Sequence, residues 1–224
     1  MRTTKLALAV IAMAALIQDP ARAEGIAVGL GIGTVGPGAQ VVFGVHERWN
    51  IRAGGSGFRL SLDYRESGVD YDATMKMANI PVIVDWFPAA RFDLRVSAGL
   101  IGNYTRIDLE ARPNSGQYEV GNNIYNANEI GRIDASARSR SIAPYLGVGW
   151  GNAVKAGKNW GWNVDVGLMY QGRAKTSYSV TCGTVQTNCV RLQNDGAIES
   201  AQFNRDVNDN RFYPVAQFWM SKQF

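Results

Sequence analysis

The chain has 224 residues, 46% of them hydrophobic, with 25 glycines, one histidine and a formal charge of +4. So weak a positive balance does not point to nucleic acid, and a single histidine leaves few general bases or metal ligands. No segment offers the roughly 18 consecutive apolar residues of a membrane-spanning helix, which excludes a helical membrane protein.

The first residues read as an export leader. Arg2 and Lys5 precede an apolar run over residues 6–17, and Ala21-Arg22-Ala23 offers a small-x-small cleavage site. Cleavage is expected after Ala23, giving a signal peptide over 1–23 and one barrel domain over 24–224. The alternative is an uncleaved anchor, although the run falls short of the roughly 20 residues a span needs. Of the charge of +4, the leader supplies two, because Arg2, Lys5 and Arg22 outweigh Asp19.

Strand patterns then follow one another. Ile26, Val28, Leu30 and Ile32 alternate with small residues, and Val35-Gly36-Pro37-Gly38 signals a turn. Ala39, Val41, Phe43 and Val45 form a second apolar face. After the turn at His46-Glu47-Arg48, Trp49, Ile51 and Ala53 form a third. The next apolar set, Phe58, Leu60, Leu62 and Tyr64, has the other parity, which predicts a β-bulge at the glycines of 54–57. A polar loop is expected over 65–70. A second phase slip is expected near Pro81, where Tyr71, Met75 and Met77 give way to Ile80, Val82, Val84 and Trp86.

Phe92, Leu94, Val96, Ala98, Leu100, Gly102 and Tyr104 form the fifth strand, followed by a long polar loop over 112–138. Ile142, Pro144, Leu146, Val148 and Trp150 face outward on the sixth. The seventh runs from Trp160 to Val180, with Trp160, Trp162, Val164, Val166, Leu168, Tyr170, Tyr178 and Val180 on one side. Only a strand has a period of two, and one this long, ended by aromatic residues, suits a bilayer better than a soluble core. A long loop over 181–210, with a short helix within 196–207, leads to the last strand. Phe212, Pro214, Ala216, Phe218, Met220 and Phe224 share its outer face. The terminal Phe224 resembles the sorting signal by which bacterial outer-membrane proteins reach their assembly machinery, with Lys222 able to snorkel.

Eight such strands, joined by alternately short and long connections, predict an all-β fold. It is an eight-stranded antiparallel transmembrane β-barrel of outer-membrane type, with long extracellular loops. The surroundings expected for it are outer-membrane lipid and lipopolysaccharide. Function then has to reside in the lumen or the loops. Arg52, Asp85, Asp93, Arg95 and Asp165 are expected on the lower inner face, and Arg59, Asp63, Asp72, Lys76, Arg173 and Lys175 on the upper one. Eight strands enclose a space that side chains can fill. These charges therefore make either a salt-bridged plug or a narrow polar path for small solutes. Space left by the inner glycines 29, 31, 33, 147, 149 and 151 suits water or long side chains from the facing wall.

Cys182 and Cys189 lie close together in a polar loop of an exported chain, which predicts a disulfide rather than a metal site. No cofactor is implied. A barrel-embedded hydrolase needs a base beside its nucleophile, and the only histidine, His46, falls in a short turn on the side away from the long loops, so no enzyme activity is expected.

The octapeptide Ala143-Pro144-Tyr145-Leu146-Gly147-Val148-Gly149-Trp150, with Lys158-Asn159-Trp160-Gly161 and Tyr170-Gln171-Gly172-Arg173-Ala174-Lys175, resembles the CarO-type ornithine-uptake porins. Tyr71-Asp72-Ala73, Tyr213-Pro214-Val215 and Gly33-Thr34-Val35-Gly36 fit the same pattern. The resemblance implies a monomeric eight-stranded outer-membrane barrel associated with passage of small, often basic, amino acids. The alternative is a non-conducting barrel of the OmpX or OmpW type, acting through its loops or binding hydrophobic molecules.

Overall fold

Strands with one apolar and one polar or small face close on themselves, because neither face can be left against the wrong solvent. In the computed structural model, which describes residues 25–66, 69–89, 92–155, 158–209 and 211–224, the chain forms eleven strands and a helix. The leader expected over 1–23 lies outside the described residues. In chain order the elements are β1 (Gly25–Gly33), β2 (Gly38–His46), β3 (Trp49–Glu66), β4 (Val69–Trp86), β5 (Leu94–Pro113), β6 (Gln117–Val120) and β7 (Asn123–Asn126). They continue with β8 (Ile130–Trp150), β9 (Trp160–Tyr170), β10 (Lys175–Cys182), α1 (Cys189–Asp209) and β11 (Phe212–Gln223). The main sheet runs β10-β8-β5-β4-β3-β2-β1-β11-β9, every pair antiparallel, and β8 also pairs with β9 to close it. Counting β9 and β10 as one stave, the ring has eight: a transmembrane β-barrel of outer-membrane type.

Its exterior is what lipid requires. Leu30 is 70% exposed, Ile142 73% and Leu146 64%, in a band that soluble proteins do not leave to water. Tryptophans gather at the short-turn end of the band, where Trp49 and Trp86 stack with ring centroids 6.1 Å apart. Tyr170 and Phe212 meet at the other end, 5.3 Å apart. Phe224 stands exposed on the outside, with Lys222 Nζ 5.2 Å from its ring centroid.

Four expectations are corrected. The stretch 160–180 is two strands, not one. Residues 171–174 interrupt it, Gly172 takes φ +69°, and the pairing sum against β8 changes by one residue. That offset reverses the faces, so Thr176, Tyr178 and Val180 turn inward under α1 while Lys175 turns out.

Neither expected bulge exists. β3 and β4 keep one register from Trp49↔Trp86 to Glu66↔Val69. The apolar pattern changes parity there because the surroundings change. Beyond the lipid band the outer face meets water, so Phe58, Leu60 and Leu62 move to the inner side of an uninterrupted strand. The polar segments taken for loops over 65–70 and 112–138 are largely strand, as β3, β4, β5 and β8 extend past the band and the β6–β7 hairpin fills the gap. Charged and serine-rich sequence conceals strands whose exposed face no longer touches lipid. Finally, the short helix expected within 196–207 spans all of Cys189–Asp209. The disulfide between Cys182 and Cys189 fixes its first residue to the end of β10.

Candidate functional site: a charged network and an apolar layer in the lumen

Inward positions of the ring bring together Arg52 of β3, Asp85 of β4, Arg95 of β5 and Asp165 of β9, each no more than 4% exposed. β3 and β9 stand on opposite walls of the ring, so Arg52 crosses the lumen. Its Nη1 donates to Asp165 Oδ2 at 2.8 Å and its Nη2 to Asp85 Oδ1 at 2.9 Å, with Nε 2.7 Å from Asp85 Oδ2. Arg95 Nη2 donates to Asp165 Oδ1 at 2.8 Å, and its Nη1 donates to the Gly151 carbonyl. Ser97 Oγ donates to Asp85 Oδ1 at 2.6 Å. Two cations and two anions thus neutralise one another, which burial this deep demands.

Gly149 makes the network possible. It lies opposite both Arg95 and Asp165 in the ladders. A Cβ there would stand 2.7 Å from Asp165 Oδ1 and 2.9 Å from Arg95 Nε. The inner glycines therefore hold side chains. Gly31 accommodates the Trp219 ring, and Gly147 and Gly167 accommodate Tyr145.

An apolar layer lies beyond the charges, toward the long-strand end. Met77, Ile83, Ile101, Tyr145, Met169 and Val215 meet there, and Val35 from the β1–β2 turn closes it from above. That turn is pinned by Tyr213, whose hydroxyl donates to the Thr34 carbonyl at 2.8 Å. At the short-turn end the β8–β9 connection folds under the barrel, burying Ala153 and Val154 against Ala27 and Val42. Asn50 Nδ2 donates to Asn152 Oδ1 at 2.9 Å beside it.

The other charges expected inside lie elsewhere. Asp93 is in the connection before β5, where Lys155 Nζ donates to it at 2.7 Å. Arg59, Asp63, Asp72 and Lys76 are exposed and sit on the outward parity of β3 and β4, because the missing bulges leave the faces unexchanged. Lys175 is outward for the reason given above, and Arg173 is exposed in the 171–174 interruption. His46 is exposed at the short turn, its Nδ1 accepting from the Arg48 N–H at 3.4 Å. Sequence reasoning missed Trp219, Val35 and the apolar layer. Their signal is present, since Ile83 and Trp219 are large residues at positions whose neighbours on both sides already face lipid.

Above the band, α1 covers the inner side of β10. Leu192 is buried with Val120, Tyr125 and Ile130, and Tyr178 and Phe203 rings lie 6.3 Å apart. Asp195 accepts from the Tyr125 hydroxyl at 2.5 Å and Asn123 Nδ2 at 2.7 Å, which holds its carboxyl below the usual range. The Asn126 backbone N–H, followed by Asn188, does the same for Glu129. Gly121, at φ +63°, leaves room for Asp195. Helix, hairpin and disulfide thus form one small core outside the barrel.

No protein-family model matches the sequence, and no curated protein matches it. Solved structures that share the fold include two from Acinetobacter baumannii. Acinetobacter baumannii CarO2 superposes with a TM-score of 0.62 at 20% identity, over 91% of this chain and 100% of that one. Acinetobacter baumannii CarO gives 0.59 at 22% identity, over 92% and 100%. The fold is of the CarO type.

Proposed function

We propose that this is a monomeric outer-membrane protein whose lumen is closed to solutes at rest and whose work is done by its extracellular half. The observation that carries the reading is the charge network of Arg52, Asp85, Arg95 and Asp165, sealed between the Ala153–Val154 turn and the apolar layer under Val35. A solute crossing this lumen has to break ion pairs and part a dry layer. The extracellular half, in contrast, has its own core and a covalent closure at Cys182–Cys189. With two arginines and two aspartates already paired, nothing in the network is left to catalyse a reaction or select a cation.

A second reading, gated passage of small polar solutes such as amino acids, is favoured by one feature. Gln40, Ser56, Asn79, Asn163 and Ser221 have buried side-chain atoms with no protein partner. Buried polar atoms of this kind are served by water, so part of the wall is wetted. Liposome swelling separates the two. Vesicles carrying the protein should remain as tight to lysine, glutamate and a neutral sugar as empty vesicles. Swelling with any of the three supports the gated path instead.

A further inference from the structure

The outer faces of the tall strands carry a pattern that the lumen does not use. In the ladders Arg59 lies opposite Lys76, Lys76 opposite Arg106, Arg106 opposite Arg138, and Arg138 opposite Lys175. Five cations therefore stand side by side across β3, β4, β5, β8 and β10, all on the parity that faces lipid lower down. Like charges directly opposite in a sheet repel and destabilise it. Among the described residues only Arg106 has a carboxylate partner, Asp108, at 2.6 Å. Of the acids farther out, Glu110 and Asp134 engage Arg112 and Arg132, while Asp63 and Asp72 stand four residues beyond Arg59 and Lys76 along the strands, about 13 Å away at 3.3 Å per residue. As a set, the row lacks its anion.

Its height says where that anion is. From Trp49 to Arg59 and from Trp86 to Lys76 the strands advance ten residues. At about 3.3 Å per residue and a tilt of about 40°, that is a rise of about 25 Å, the height of the apolar band of such barrels. The row thus begins where the outer-leaflet hydrocarbon ends. Strand tilt also makes it climb by about 3 Å per strand, so its two ends meet phosphates at different depths.

We propose that this row is a docking site for an outer-leaflet glycolipid carrying more than one phosphate, whose acyl chains lie on the apolar wall below. The guanidinium groups of Arg59 and Arg138 offer paired N–H donors to phosphate oxygens, and Lys76 and Lys175 add compact charge. The anion relieves the repulsion within the row, so binding and barrel stability are coupled. The site rests on the outer-membrane reading, but not on whether the lumen conducts, because it occupies the opposite face of the strands.

The test is thermal unfolding of the full chain in zwitterionic detergent, followed by gel mobility, with added bis-phosphorylated lipid A. Lipid A is expected to raise the unfolding temperature of the wild type. The variant R59Q/K76Q/R138Q/K175Q should need at least about tenfold more lipid for the same shift. Its inward network is untouched, so liposome tightness should not change. Dephosphorylated lipid A and inorganic phosphate alone should have little effect. The proposal is overturned if the variant responds like the wild type, if the dephosphorylated lipid works equally well, or if inorganic phosphate alone gives the full shift. Should the quadruple variant fail to refold, R59Q/K76Q and R138Q/K175Q separately should each weaken the response, and K76R/K175R should retain it. Failure of the outer-membrane reading would look different, as the wild type would then stay soluble without detergent.

Discussion

Replacing Asp165 by alanine is expected to cost the barrel about 3–5 kcal/mol, measured by urea unfolding in lipid vesicles. The loss exceeds that of an ordinary hydrogen bond because two cations are stranded. Arg52 and Arg95 both donate to this carboxylate, and both are almost fully buried. Asp165→Asn should cost less than alanine, since it keeps an acceptor oxygen, but more than a surface change, since the network would then carry net positive charge. Arg95→Met is the reciprocal case and leaves Asp85 and Asp165 sharing Arg52. A loss below about 1 kcal/mol for both Asp165 variants would mean that water, not protein, solvates these charges, and the closed lumen would be wrong.

Truncating Trp219 to alanine should also cost about 3–5 kcal/mol, the usual loss for a large buried aromatic. Trp219 is 2% exposed and fills the side of the lumen left bare by β1. A Cβ at Gly31 would lie 2.5 Å from Trp219 Cδ2 and from the Phe218 carbonyl oxygen. Gly31→Ala is therefore expected to destabilise as well, and Gly31→Leu to prevent refolding altogether. Combining Gly31→Ala with Trp219→Ala should recover part of the alanine cost, because the ring no longer opposes the new methyl group. A double-mutant cycle should give a coupling of about 1 kcal/mol or more. Strict additivity would show that ring and glycine are not in contact.

The barrel was legible because alternation has a period only strands possess, and because Leu30, Ile142 and Trp162 stand where no soluble protein would leave them. The charges at the short-turn end were legible too, since parity placed Arg52, Asp85, Arg95 and Asp165 opposite the lipid-facing set. What misled was the assumption that apolar always means outward. That rule holds only within the lipid band. Past it, Phe58, Leu60 and Leu62 turn inward on an unbroken ladder, and Arg59 and Lys76 turn out. The offset at Gly172 was hidden as well. One residue of slip flips every later side chain, and Trp160 to Val180 reads as a single strand in either case. The inward place of Trp219 follows from its exposed neighbours Phe218 and Met220, whereas Val35 lies in a turn and could not be assigned from alternation, because its role depends on contacts across the ring.

Planar-bilayer recording of the purified protein tests the closed lumen most directly. The wild type should insert, as judged by its heat-modifiable mobility after recovery from the membrane, and yet give no stable conductance steps at either polarity. Regular ohmic steps from the inserted wild type would contradict the account, since ions would then be passing between Arg52 and Asp165 where the structure leaves no room for them.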